Sequence, residues 1–391
     1  MSKDTSRSSH AVVSLRKVAV DWGRIGLTGF GGPPAHLALF RRLCVEDHDW
    51  ISGAEFEDAI ASANLLPGPA STQIAIFCGW RVRGLLGGLI GGVFFILPGL
   101  VVILALAKVF LGGHPPRLVL GAAAGAGAAV PAVALDAALK LVPTSWTRIG
   151  SGLSQRARWI GYAALGGSAA ALVGPDLVLV LLACGLTEVL VRNWGQPAQG
   201  QGRVVGAVFP PLVVGGGLVA LTWTAFKVGA LSYGGGFVIV PLMQGDAVSV
   251  HHWMTSGQFL TAVALGQITP GPVVQTVAVV GYAAAGLSGG ILASIVAFAP
   301  SFVFVLGGAK RFYAVRGNRH AQAFLTGAGP ATIGAIAGSA IPLGLSLTHV
   351  WQGIVLAAAA LWLLGARKGV VSTLLLALLT GVVLTVLGLP T

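Results

Sequence analysis

The sequence predicts an all-α polytopic membrane protein built from two homologous helical repeats, inverted relative to each other, with about 12 to 13 membrane segments, some of them broken helices. Three observations carry that prediction. Of 391 residues, 55% are hydrophobic and only 9% charged, against about 25% charged in a soluble domain. The apolar stretches are rich in Gly, Ala, Leu and Val and rarely alternate with polar residues, which fits helices and not a barrel. Finally, the chain matches itself. An offset of 203 residues pairs Trp50 with Trp253, Gly26 with Gly229, Phe30-Gly31-Gly32 with Tyr233-Gly234-Gly235, and Pro67-Gly68-Pro69 with Pro270-Gly271-Pro272. After one deletion an offset of 202 pairs Gly84, Gly87, Gly88, Pro98 and Lys108 with Gly286, Gly289, Gly290, Pro300 and Lys310.

The first repeat spans 1–192, with helical segments expected near 11–43, 55–82, 84–111, 117–142, 159–174 and 175–192. The last two divide at Gly174-Pro175. A linker, 193–203, precedes the second repeat, 204–391, with segments near 222–245, 257–284, 286–312, 320–346, 349–365 and 369–389. The stretch 204–221, interrupted by Pro210-Pro211, is long enough for one further crossing. The polar N-terminus has no cleavable apolar core, so no removed signal peptide is expected.

Orientation follows from Lys and Arg. If every segment crosses, the first repeat's basic ends (Arg16/Lys17, Arg81/Arg83, Arg148 to Arg158, Arg192/Arg203) share one side, with Arg41/Arg42 opposite. The second repeat's basic loops, Lys310 to Arg319 and Arg367/Lys368, have the opposite parity. Keeping both sets cytoplasmic requires inverted halves, with 204–221 as the odd crossing. Either proline-broken segment could instead be re-entrant, which would change the count. The net charge of +12 sits in short loops, as orientation signals and contacts to anionic lipid. No nucleic-acid partner is expected.

Each repeat carries two breaks. Gly29 to His36, with its Gly31-Gly32 pair, matches Ser232 to Gly236, with Gly234-Gly235. Clustered glycines let backbone approach a ligand, or let helices pack closely. The second break is Pro67-Gly68-Pro69, flanked by Asn64, Ser71, Thr72 and Gln73. Its partner is Pro270-Gly271-Pro272, flanked by Gln267, Thr269, Gln275 and Thr276. Two prolines so close cannot sit in an unbroken helix. The helix should stop before Pro67 and restart at Pro69, offering free N–H groups and a positive dipole end to an anion. The neutral amides and hydroxyls would hold that anion, or satisfy carbonyls freed by the prolines.

Charge within the spans is scarce, so each instance is a functional hypothesis. Arg24 and Lys227 precede the glycine breaks and could neutralise a dianion. Asp58 and Asp136 are candidates for a coupling proton, and Lys108 and Lys310 are expected to snorkel. His36, Asp47, His48, Asp49, Asp246, His251 and His252 read as solvated loop residues, without the helical spacing of a metal site. The cysteines Cys44, Cys78 and Cys184 read as buried apolar thiols. No nucleophile-plus-base motif appears, so no catalytic residue, metal or cofactor is expected.

The strings GFGGPPAHLALFRR, LLPGPASTQ and FFILPG, and in the second repeat SYGGGFVIVPLMQ, ALGQITPGPVVQT and FLTGAGPATIGAI, resemble the chromate ion transporter family over almost the whole chain. The resemblance implies a long-chain, two-domain protein of the bacterial inner membrane that exports chromate and confers chromate resistance, some members being linked to sulfate. Ala63-Asn64 stands where that family usually has Cys-Gln, and Gly99 where it often has Ser, although Ser301 remains in the second repeat; altered affinity rather than lost transport is expected. The function expected is proton-coupled secondary transport of a tetrahedral oxyanion. Sulfate transport, inward transport and an anion channel remain open, as does the oligomeric state, a homodimer included.

Overall fold

The structure, a computed structural model, describes residues 13–64, 66, 68–113, 115–150, 152–172, 176–193, 217–232, 239–308 and 318–390. Pro67, Gly234, Gly235, Lys310, residues 194–203 of the expected linker and most of the expected crossing at 204–221 lie outside them.

The first repeat opens with two hairpins. α1 (Leu15–Thr28), capped by the Ser14 hydroxyl on the Lys17 N–H, breaks at Gly29–Gly32. α2 (Pro33–Arg41) restarts with prolines in its first turn, where a missing N–H costs nothing, and ends in a π-turn, Arg42–Asp47. α2 runs back beside α1: Trp22 and Phe40 lie 5.6 Å apart, and Lys17 sits 5.8 Å from the Trp50 ring. α3 (Gly53–Ala63), capped by Ser52, leads to the Pro-Gly-Pro break. α4 (Ala70–Leu111) leaves it and folds sharply at Arg83-Gly84, where Gly84 has φ +65°. The short arm, 70–82, returns along α3, so that Arg81 meets Glu55 at 3.0 Å. Both broken segments are therefore re-entrant. α1 and α3 reach about 21 and 16 Å in, near the midplane of a core about 30 Å thick, and their chains return to the face they left.

The second arm of α4, 85–111, crosses fully. α5 (Arg117–Arg148) returns, and α6 (Leu153–Leu172) and α7 (Leu177–Asn193) complete the repeat. The second repeat repeats the plan. α8 (Leu218–Leu231) and α9 (Ile239–Gln244, continued by a π-turn to Val250) form its first hairpin. α10 (Ser256–Ile268), with a Thr255/Gln258 capping box, and the start of α11 (Thr276–Phe302) form the second. α11 folds at Ala285-Gly286, where Gly286 has φ +64°. α12 (Arg319–Leu345), α13 (Val350–Ala360, with a π-turn to Gly365) and α14 (Val370–Val386) follow. Among the described residues four stretches, Ala70–Leu111, Arg117–Arg148, Val273–Gly307 and Arg319–Leu345, are long and apolar enough to cross a membrane.

The long arms of α4 and α11 pack antiparallel. Gly88 lies against Leu306, in the π-turn (Val303–Gly307) that extends α11, Gly92 against Phe302, and Gly290 against Leu104. Equivalent helices running in opposite directions place the pseudo-twofold axis in the membrane plane, which is the inverted repeat that the charge pattern predicts. The halves also interleave. Glycines of α12 bear on α6 and α7 (Gly334 on Ala163, Gly327 on Cys184), and α14 bears on α5 (Gly381 on Gly121). Backbones approach this closely because no Cβ intervenes.

Re-entrance revises the side assigned to Arg41 and Arg42. They share the face of Lys17, Arg81, Arg83, Arg148 and Arg192, and Arg41 pairs with Glu57 there. Asn193 touches His320 at 3.2 Å, which puts the start of α12 on that face too. Among the described residues the Lys and Arg side chains toward the opposite face are Lys108, Arg117 and, paired within the α8–α9 hairpin, Lys227. The basic face is cytoplasmic by the positive-inside rule.

Candidate functional site

The four hairpin tips meet in the middle of the molecule, each tip of one repeat on a tip of the other. The Gly68 N–H donates to the Ser232 carbonyl at 2.9 Å, and the equivalent Gly271 N–H donates to the Gly29 carbonyl at 3.1 Å. Each Pro-Gly-Pro break is thus latched to the glycine break of the opposite half. Gly68 and Gly271 have φ of +119° and +95°, a region that side chains disfavour.

The residues after Pro98 and Pro300, within the long arms of α4 and α11, complete the cross-packing. Gly99 lies against the Pro270 carbonyl and the Gln275 amide. Its counterpart Ser301 stands beside Gly68, where a Cβ would lie 2.6 Å from the Ser301 Oγ and 2.7 Å from the Gln73 Nε2. Gly32, with φ +74°, approaches Val273 at the second break, and Gly31 is exposed.

The short arm of α4 begins at Ala70 with Pro69 as its cap residue, one position later than the sequence predicts. Gln73 is the first residue to bond back, to the Pro69 carbonyl at 3.0 Å, so the N–H groups of Ala70, Ser71 and Thr72 form the open first turn. At the second break, Pro272 precedes a 3-10 turn, Val273–Gln275, before α11.

The flanking polar residues divide into two groups. Thr269 and Thr276 bond the Leu265 and Val273 carbonyls, and the Gln275 Nε2 bonds the Ile96 carbonyl at 2.7 Å. These serve the interrupted backbone. By contrast the Ser71, Thr72, Ser232 and Ser301 hydroxyls, Gln267 Nε2 and Gln275 Oε1 are buried with no hydrogen-bond partner among the described residues. Unpartnered buried polar atoms are rare and costly, and here they gather at the breaks. Asn64 caps α3 and is half-buried.

The predicted charges do not join this cluster. Arg24 is exposed, on the side of α1 that carries Val20 and Leu27. Lys227 is engaged by Asp246 at 2.5 Å, within the α8–α9 hairpin. Asp58 is exposed on α3, and buried Asp136 pairs with Lys140 at 2.7 Å.

Two residues read as solvated loop positions prove to be buried. His36 donates from Nε2 to the Gly29 carbonyl at 2.9 Å, steadying the acceptor of the second latch. Asp246 is 4% exposed. Sequence reasoning passed over Glu188, which holds Arg158, Arg192 and Tyr162 together near the cytoplasmic face. Among the described residues no group of His, Cys, Asp or Glu is arranged to hold a metal.

A family described as chromate transporter matches at residues 16–189 and again at 219–386, one match for each repeat. A chromate transport protein of Cupriavidus metallidurans is 33% identical over 341 residues, covering 84% of this chain and 82% of the relative. A probable chromate transport protein of Synechococcus elongatus is 30% identical over 96% of both chains. A chromate transport protein of Pseudomonas aeruginosa is 31% identical over 88% of this chain and 85% of its own. No solved structure matches. With both repeats matched and the paired breaks facing each other at mid-depth, the chain belongs to the chromate transporter family.

Proposed function

We propose that the chain is a secondary transporter that carries chromate, a tetrahedral oxyanion, out across the cytoplasmic membrane in exchange for protons, and so confers chromate resistance. The names of its relatives support the substrate. The observation that carries the reading is the set of unpartnered hydroxyls at the latched breaks, Ser71, Thr72, Ser232 and Ser301, beside the open first turn of an α-helix. Hydroxyl and amide donors backed by a helix dipole match the charge of an oxyanion. Being neutral, they release it more readily than a fixed cation would. The site lies between the repeats, so movement of one half against the other can expose it to either face in turn.

Uptake of labelled chromate into everted vesicles tests this, with sulfate competing and the pH gradient imposed or collapsed. Saturable uptake that exchanges with unlabelled chromate and falls when the gradient collapses is expected. The Gly68→Val variant should stay in the membrane and lose uptake, since a branched side chain at φ +119° costs about 1–3 kcal/mol of strain and meets Ser301 and Gln73. Current that follows voltage without exchange would instead make the protein a channel. Normal uptake by Gly68→Val would remove the break from the site.

A further inference from the structure

The second repeat holds an ion pair that the first lacks. Asp246, on the π-turn after α9, accepts from the Lys227 ammonium at 2.5 Å and from the Thr224 hydroxyl at 2.7 Å on the same oxygen. The two charged side chains are 13% and 6% exposed. The repeat register puts Arg24 and Leu43 at the positions of Lys227 and Asp246, and Arg24 is exposed. One copy of the hairpin therefore folds without a buried pair. Burying two charges costs desolvation that apolar side chains would avoid, so the pair is not required by the architecture. α7, α10 and α12 also pack on the α9 arm of this hairpin, and α11, which carries no charged residue, packs on the α8 arm. α10 has no ionisable residue, α12 has only Arg319 and His320, in its first turn, and on α7 Glu188 and Arg192 bond each other while Cys184 is a buried thiol. Within the hairpin itself Lys227 is the charge that faces Asp246.

Resting on the transport reading above, we propose that Asp246 carries the coupling proton, in place of Asp58 or Asp136. The α8–α9 hairpin opens to the face opposite the basic one, and its tip supplies the Ser232 carbonyl of the first latch. A proton arriving from the outer face adds to an Asp246 carboxylate oxygen and leaves Lys227 with an uncompensated charge. Loss of that proton restores the pair. Each cycle moves one proton and changes the charge of the hairpin by one unit, with no other bond made or broken. Lys227 then acts as the counter-ion of the coupling acid rather than as a ligand of the anion.

The test uses the full chain in proteoliposomes, with labelled chromate as the probe in two arms, exchange without a pH gradient and accumulation with one. Wild type should do both. Asp246→Asn should keep exchange and lose the gradient-driven accumulation. Because that change strands a buried ammonium, the double variant Lys227→Met/Asp246→Asn, which removes both charges, is measured beside it and should show the same uncoupled exchange. Accumulation that persists in the double variant would overturn the proposal while leaving transport intact. Exchange lost in the folded double variant would also overturn it, by making the pair structural. Wild type that exchanges chromate but ignores the gradient would remove proton coupling itself, and wild type without exchange would remove the transport reading.

Discussion

Ser301 shows how a single side chain can separate packing from recognition. Its hydroxyl is fully buried and has no partner among the described residues, yet it stands beside Gly68 in the opposite repeat. If Ser301 only filled space, Ser301→Ala would remove an unsatisfied polar atom and would be neutral or slightly stabilising. If it meets the anion, the same change should raise KM about ten- to a hundredfold, since a hydrogen bond to a charged group is worth about 1.5–3 kcal/mol. Initial rates against chromate concentration, with thermal unfolding in detergent as the control, distinguish the two. An unchanged KM would withdraw Ser301 from the site. The sequence made Ser71 and Thr72 legible as donors because they follow a doubled proline. It did not reveal Ser301 as a partner of Gly68, because that contact joins positions far apart in the chain. Asp246 and His36 look like loop positions in the sequence for a related reason. Both lie on the returning arm of a hairpin, and without knowing that the arm returns, a polar residue there looks like loop.

At the scale of elements, the Pro-Gly-Pro breaks were legible from proline chemistry alone, and α4 begins within one residue of the expected position. The direction of the chain after the break was not. Whether a helix of 13 residues continues outward or doubles back depends on what it packs against. Here the Glu55–Arg81 pair and the Trp22 indole N–H on the Ala75 carbonyl, at 2.8 Å, tie it to the side it came from. Re-entrance makes a labelling prediction. In a background lacking Cys44, Cys78 and Cys184, single cysteines at Ser52 and Arg83 should react with a membrane-impermeant maleimide from the cytoplasmic side only. Cysteines at Thr255 and Ser288 should react from the outside only. Labelling of Ser52→Cys and Arg83→Cys from opposite sides would restore a through-crossing segment.

For the whole molecule, composition and the internal register were enough to give class, repeat and inversion, because those depend on hydropathy and charge counted over long stretches. The interleaving of the halves was not visible, since α6 and α7 find their main surface on α12, and α14 on α5. A half expressed alone would leave those glycine-lined faces open. Expressed separately, the segments 1–203 and 204–391 should each be degraded or aggregate, and expressed together they should recover chromate export. Protein levels by immunoblot and export from the same cells check this. A single half that accumulates and transports would show that interleaving is dispensable.

The latches carry a last consequence. Gly68 on Ser232 and Gly271 on Gly29 are the same bond made twice, related by the pseudo-twofold axis. Undoing either one breaks an equivalent interaction, so the inward-open and outward-open forms should lie close in energy, like the two leaves of a swing door. Such a carrier runs as readily backward as forward, and the net flow of its cargo is decided by the ion gradients on either side of it.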